Sequence, residues 1–388
     1  MTKTMLFSAV GAKLTCYEVD AERATLNARG AITLPAGLQY AWPSPSNRFL
    51  YAACSDGRPG SPGREHYVVA LRVGEEGDLA IQGDAIPLPT RPVHISTDRD
   101  GKHVLIVFPL PSGLSVRRID DDGSVGAEIA QPAIPSLGKT AHQILVAPSG
   151  DRCVLPVRGD DATSRSPEFP GALLIFAYRE GRLAPVQEIA PNGGYGFGPR
   201  HIAFHPSRPW FYLSLERQNE IAFFDMTHGV VEGPKFRRTT LASSAEVKRR
   251  QLAGAIHVHP EGRFVYVANR ADGKFDMNGT EVFDGGENSI AVFEIDRRSG
   301  EPTRVQTEDT RGMYPRTFHI DPSGRLMVVG NMSAYNERDR DGVRVVPAGL
   351  SVFRIAPDGW LTFTNKYEVD VGCNLLFWIG MVGGRISV

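Results

Sequence analysis

Cysteine is scarce in this chain. Cys16, Cys54, Cys153 and Cys373 are the only four in 388 residues, without the paired spacing of a zinc site or the density of a disulfide scaffold. They are expected as buried free thiols in a reducing compartment. Net charge is also missing: 43 Lys and Arg against 44 Asp and Glu leave −1. No face is obliged to be basic, so no nucleic-acid partner is expected. No apolar run approaches the length of a membrane span, and no membrane partner is expected either. Lys3 and the run Met5–Ala12 have the outline of a secretory leader, but the run is too short and passes straight into Lys13–Asp20, which alternates like a strand. A cytoplasmic location is the expectation. Helical signals are confined to Ser244–Leu252, where Ser243 and Glu246 have capping-box spacing. There is no nucleophile elbow, phosphate loop or dinucleotide fingerprint.

What is abundant is turn chemistry, with 41 Gly and 28 Pro, and it recurs. Ala255–Arg270 reads as apolar strand, tight Pro-Glu-Gly turn, apolar strand. The pattern returns at Arg316–Asn331, Arg200–Leu215 and His142–Val157, more weakly at Gln39–Cys54, and without its proline at Val93–Phe108. Proline presets φ for such a turn and glycine takes backbone angles other residues resist. The turns lie roughly 50 to 60 residues apart, the period of four-stranded propeller blades. Third strands follow at Ala172–Arg179, Glu220–Met226, Ser289–Asp296 and Gly349–Ala356.

Six copies imply six blades, and the termini supply a seventh. Cys373–Met381 reads as one more inner strand with nothing after it, while Met5–Ile32 holds three strands before the first inner strand. One plus three make a blade, and closing the ring this way removes exposed edges. The expected fold is all-β, one seven-bladed β-propeller over residues 1–388. Two long loops, Ala271–Asn288 and Ser333–Pro347, are candidates for functional or mobile segments.

The repeat also supplies coordinates. Six residues before the turn proline, or Arg99 in its place, stand Gln39, Val93, His142, Arg200, Gly254 and Arg316; ten after it stand Ser55, Pro109, Arg158, Glu216, Arg270 and Met332. A regular hairpin places the two positions opposite one another at the end away from the turn. His142, Arg158, Arg200, Glu216, Arg270 and Arg316 should therefore converge on one solvated channel mouth. Guanidiniums fork carboxylate or phosphate and hold developing negative charge, and Glu216 and His142 are the proton-transfer candidates. The competing reading is blade-to-blade ion pairing, Glu216 to Arg200. His201, His205, His257, His259 and His319 fall on the opposite strand face and are expected to pack and bond the backbone, not to hold a metal. The loop Asp272–Gly279 resembles a calcium loop only in part, since taking Gly279 as its sixth residue puts Lys274 first and Gly285 twelfth, where carboxylates are required.

Pro199–Pro206, His142-Gln143, Val267–Arg270 and Tyr314–Arg325 together resemble the seven-bladed propeller lactonase family, over essentially the whole chain. That family includes cycloisomerase-type 6-phosphogluconolactonases and the fungal 3-carboxy-cis,cis-muconate cyclase. The resemblance implies His142, Glu216, Arg200 and Arg270 as catalytic residues. Arg158, Arg316 and Gln143 are expected to hold the rest of the substrate, with neither metal nor other cofactor. Gly330–Met332 departs from the Ala-Asn-Gln of many relatives. The leading expectation is hydrolysis of an anionic sugar-acid lactone by Glu216 or His142 as base. Lactone formation from a carboxymuconate-type diene acid is the alternative. A non-enzymatic scaffold binding protein partners would present an apolar or aromatic mouth instead.

Overall fold

In the computed structural model, which describes residues 3–134, 136–229, 231–243, 250–340 and 342–383, seven four-stranded antiparallel sheets follow one another along the chain. Blade 1 runs from Leu38 to Pro87, blade 2 from His94 to Glu128, blade 3 from Leu145 to Ile189, and blade 4 from Pro199 to Thr239. Blade 5 runs from Gln251 to Asp309 and blade 6 from Met313 to Glu368. Blade 7 is composite: Leu376–Val382 is its inner strand, and Thr4–Val10, Lys13–Asp20 and Thr25–Thr33 complete it outward. Met5 pairs with Val382 and Phe7 with Gly380, so both ends of the chain close the ring. The inner strand starts at Leu376 and not at Cys373, which lies in the preceding turn and is exposed; the other three thiols are free and buried. The expected helix at Ser244–Leu252 falls mostly on residues outside those described, and its last two residues open the strand Gln251–Val258.

The core is a set of apolar layers between neighbouring blades. Phe211, Leu213 and Phe224 pack with Val154, Ile175 and Phe197, and Tyr212 and Phe223 pack with Val265, Val267 and Phe293. Polar rivets recur at the same repeat position. The hydroxyls of Tyr51, Tyr212 and Tyr266 donate to Gly123, Gly300 and Gly359 carbonyls of the next blade at 3.1, 2.9 and 3.0 Å. His205 Nε2 donates to Gly262 O at 2.9 Å and His259 Nε2 to Gly324 O at 2.8 Å. Each ring's Nδ1 accepts a backbone N–H, from Ser207 and Glu261 respectively, which assigns the neutral Nε2–H tautomer to both. Gly262 has φ +72°, and a Cβ there would lie 2.5 Å from His205 Cε1.

The inner hairpins are not regular. Pro199 pairs with Leu215 but His201 with Ser214, leaving Arg200 as an extra residue. The same bulge isolates Gln39, between Leu38 and Tyr40, and Arg316, between Pro315 and Thr317. In blade 5 it falls between Ala253 and Ile256, and Arg270 pairs with Leu252 in place of the expected Gly254. Arg200 and Glu216 are therefore not cross-strand partners. A bulge inserts a residue, bends the strand and re-aims its side chains. The two long loops are ordered hairpins, Lys274–Met277 with Thr280–Phe283 and Tyr335–Asp339 with Gly342–Val346. They lean on each other through Phe283 and Tyr335, ring centres 5.4 Å apart, and through Asn336 Nδ2 to Glu281 O at 2.8 Å.

Candidate active site

Glu216 follows the second strand of blade 4, its N–H held by Gly198 O at 2.7 Å and its carbonyl accepting Ala253 N–H at 3.0 Å. Three guanidiniums from three blades meet on its carboxylate. Arg270 Nη2 donates to Oε1 at 2.5 Å, and Arg158 Nε donates to Oε2. Arg200 Nε lies 2.9 Å from Oε1, with its N–H not aimed along a hydrogen bond. Arg270 is fixed further by Ala253 O at 2.8 Å, by the Tyr314 hydroxyl at 3.4 Å, and by the Tyr314 ring 4.9 Å beneath its guanidinium carbon. Arg158 also pairs with Asp161 at 2.8 Å.

The centre of the expected solvated mouth is buried, while Arg158 and Arg316 keep partial exposure. Arg200 and Arg270 are 1% exposed and Glu216 6%. Burial alone would raise the Glu216 carboxyl, yet Arg270, Arg158 and Arg200 hold it well below the ordinary carboxylate value. The same burial, with repulsion from Arg270, brings Arg200 down to about 9. Arg316 stands apart: its Nε donates to Phe377 O at 3.1 Å and its plane stacks 3.8 Å over the Phe377 ring. No carboxylate pairs with it among the described residues. Three guanidiniums thus share Glu216, a fourth has no carboxylate, and Asp161, the second partner of Arg158, also serves Arg217 at 3.3 Å. The site carries excess positive charge in a desolvated setting, which an anionic ligand would neutralise.

His142 closes the cluster from blade 3, where its N–H is held by Pro156 O at 2.9 Å. Its Nδ1 is buried without a partner among the described residues. Burial and then the Arg200 charge push the imidazole well below its usual value, against a smaller opposing pull from Glu216. It is neutral at physiological pH. His201, expected on the other strand face, stands edge-on to His142 with ring centres 5.0 Å apart, and its Nδ1 lies 3.3 Å from Arg200 Nη1. The bulge is the reason: with Arg200 out of alternation, consecutive side chains share one pocket. His94 and Tyr40 extend the group, His94 lying 6.0 Å from His201 and 4.3 Å from Tyr40. His205 and His259 serve the distant turn rivets, and His257 packs against Phe318 and His319 at 4.8 and 5.2 Å. Gln143 is not free to hold substrate through its oxygen, which accepts Ile202 N–H at 2.6 Å and ties blade 3 to blade 4.

Comparison with known proteins identifies the scaffold. Residues 4–337 match the model of the family described as "Lactonase, 7-bladed beta-propeller". The chain belongs to the seven-bladed β-propeller lactonase family. Similar relatives are the 6-phosphogluconolactonases of Bacillus subtilis, 27% identical over 87% of this chain and 90% of that one, and of Erwinia tasmaniensis, 26% identical over 89% and 91%. The periplasmic gluconolactonase of Pseudomonas aeruginosa shares the fold, with a TM-score of 0.70 at 21% identity, covering 98% of this chain and 99% of that one. Within this lactonase scaffold, Tyr40, His94 and His201 are the residues packed toward His142 that the repeat count passed over. They occupy one repeat position, five before the turn proline or Arg99. Pro199 and Pro315, each just before a bulged arginine, were the available signal, because proline inside a sheet is confined to edges, strand starts and bulges.

Proposed function

We propose that this lactonase hydrolyses the ring ester of a sugar-acid lactone bearing a second, anionic group, the class to which the relatives' 6-phosphogluconolactone belongs. The observation that carries the reading is the unpartnered, neutral His142 beside a desolvated fan of guanidiniums with too few carboxylates. Neutral His142 takes a proton from water as the water oxygen attacks the ring carbonyl carbon. The carbonyl oxygen becomes an oxyanion, which Arg200 and Arg270 stabilise in a low-dielectric setting where such charge pairs are strongest. The ring C–O bond then breaks, the imidazolium returns its proton to the leaving alkoxide, and a hydroxy acid departs. Glu216 is not the base in this scheme, because both its oxygens are engaged by arginine and its proton affinity is very low. It orients the guanidiniums. Three buried free thiols support assignment to a reducing compartment, the cytoplasm; among the described residues no helix is long and apolar enough to cross a membrane.

The deciding experiment incubates the purified protein with δ-gluconolactone, its 6-phosphate and a carboxymuconate. Ring opening of the lactones, fastest for the phosphate, is expected. Cyclisation of the diene acid with no lactone opening overturns the reading in favour of a cycloisomerase.

A further inference from the structure

Arg91 lies outside the repeat, in the crossing from blade 1 to blade 2 between Pro87 and His94. Its Nη1 donates to Gln39 Oε1 at 2.7 Å. Gln39 is the bulged residue of blade 1, and its amide nitrogen faces the Ser55 and Gly57 carbonyls at 3.3 and 3.2 Å. A nitrogen turned toward carbonyls leaves the oxygen facing Arg91, so the carboxamide orientation is fixed by its surroundings. Gln39 is thereby a positioning residue, holding the guanidinium without neutralising it.

Arg316 occupies the equivalent bulge of blade 6, and the inner strand of blade 7 with Phe377 lies between the two blades. Both arginines keep part of their surface open to solvent, and neither is paired with a carboxylate among the described residues. The inner strand of blade 7 links them: Arg316 stacks on Phe377, and the next residue, Trp378, stands edge-on to Tyr40, the neighbour of Gln39, with ring centres 6.3 Å apart. Burial is the largest cause lowering both arginines, Arg316 to about 10. Two like charges on built supports, one stacked on an aromatic ring and one on a fixed carboxamide, call for a shared oxyanion. In the proposed reaction the ring ester sits at His142 and Arg200, so this pair addresses a remote part of the ligand.

We infer that Arg91, positioned by Gln39, forms with Arg316 a subsite for the remote phosphate monoester of the lactone substrate. The inference rests on the lactonase reading for the substrate's other half and adds a specificity determinant to it.

The test measures kcat/KM for 6-phosphogluconolactone and for δ-gluconolactone in the full-length protein and in Arg91→Gln, Arg91→Lys and Gln39→Glu. Losing one charge-assisted contact lowers the ratio of the two values about 10- to 100-fold in Arg91→Gln. Arg91→Lys keeps the charge and restores part of that ratio. Gln39→Glu places a carboxylate on Arg91 and lowers the ratio while leaving the guanidinium in place. An unchanged ratio in Arg91→Gln and Gln39→Glu overturns the subsite but not the lactonase reading. If the unmutated protein opens neither lactone, that reading fails, and calorimetry with 6-phosphogluconate against gluconate decides the subsite. Selective loss of 6-phosphogluconate affinity in Arg91→Gln upholds it, and equal affinity in variant and parent overturns it.

Discussion

Arg200 and His201 are sequence neighbours whose side chains enter the same pocket, Nη1 of one 3.3 Å from Nδ1 of the other. In a regular strand they would point to opposite faces. The bulge at Arg200 lets one strand deliver both a guanidinium toward Glu216 and an imidazole against His142. A cation packed against neutral imidazoles keeps them neutral, because their protonation would add charge beside charge. Burial is the larger cause of that neutral state, and the local backbone irregularity adds the second by bringing Arg200 beside the proposed base.

Replacing Glu216 by Gln removes the charge on which buried Arg200 and Arg270 and half-buried Arg158 converge. Because Glu216 is buried, this variant should lose both activity and stability. Removing one partner of a buried ion pair costs about 3–5 kcal/mol, and disordered arginines should lower kcat about 100-fold or more. Denaturant titration alongside turnover checks both. Full stability together with full turnover would remove Glu216 from its proposed organising role.

Arg270→Lys keeps the charge but cannot reach Glu216 Oε1, Ala253 O and the Tyr314 hydroxyl at once. Lysine is a point donor without the planar fork. A fall in kcat of about 100-fold is expected, larger than the accompanying change in KM, since the lost contact acts on the developing oxyanion. A pure KM effect would assign Arg270 to ground-state binding.

The ring, its composite last blade and the third strands were legible because a repeated turn fixes where each strand begins. Ala172–Arg179 matches its expected range. The hairpin register was not legible, since one inserted residue at Gln39, Arg200 or Arg316 leaves the apolar alternation around it nearly intact. That slip hid the row of Tyr40, His94 and His201. Burial of the Glu216 cluster was equally hidden, because charge read alone implies solvent and only the assembled arginines remove it. Arg91 belongs to no repeat, so no register could have placed it.

Tyr212→Phe deletes one rivet between blades 4 and 5 and leaves Gly300 O without its donor. A stability loss of about 1–2 kcal/mol follows from one buried hydrogen bond, with turnover unchanged because the rivet lies far from Glu216. Gly262→Ala should cost at least about 1 kcal/mol, since alanine resists the positive φ and its Cβ would meet the His205 ring. Thermal unfolding of both variants checks the prediction; undiminished melting temperatures would mean that the rivets contribute nothing.

The pH dependence tests the base. The folded His142, His201 and His94 imidazoles all lie below the ordinary histidine value, His94 at about 3, with burial the largest cause and Arg200 next. In the unfolded chain each titrates near about 6.5. Below that pH the unfolded state binds protons that the native state refuses, so unfolding becomes easier as pH falls. Their contribution to stability is therefore full above about pH 6.5 and is lost progressively as the pH drops toward the folded values. Catalysis shows the same displacement. A neutral His142 base keeps kcat/KM level down through the usual imidazole range, with the acid limb below it, and His142→Asn lowers the plateau about 100- to 10,000-fold. An acid limb centred near 6.5 in the unmutated protein, or an Asn variant that retains the plateau, would show that another group accepts the proton.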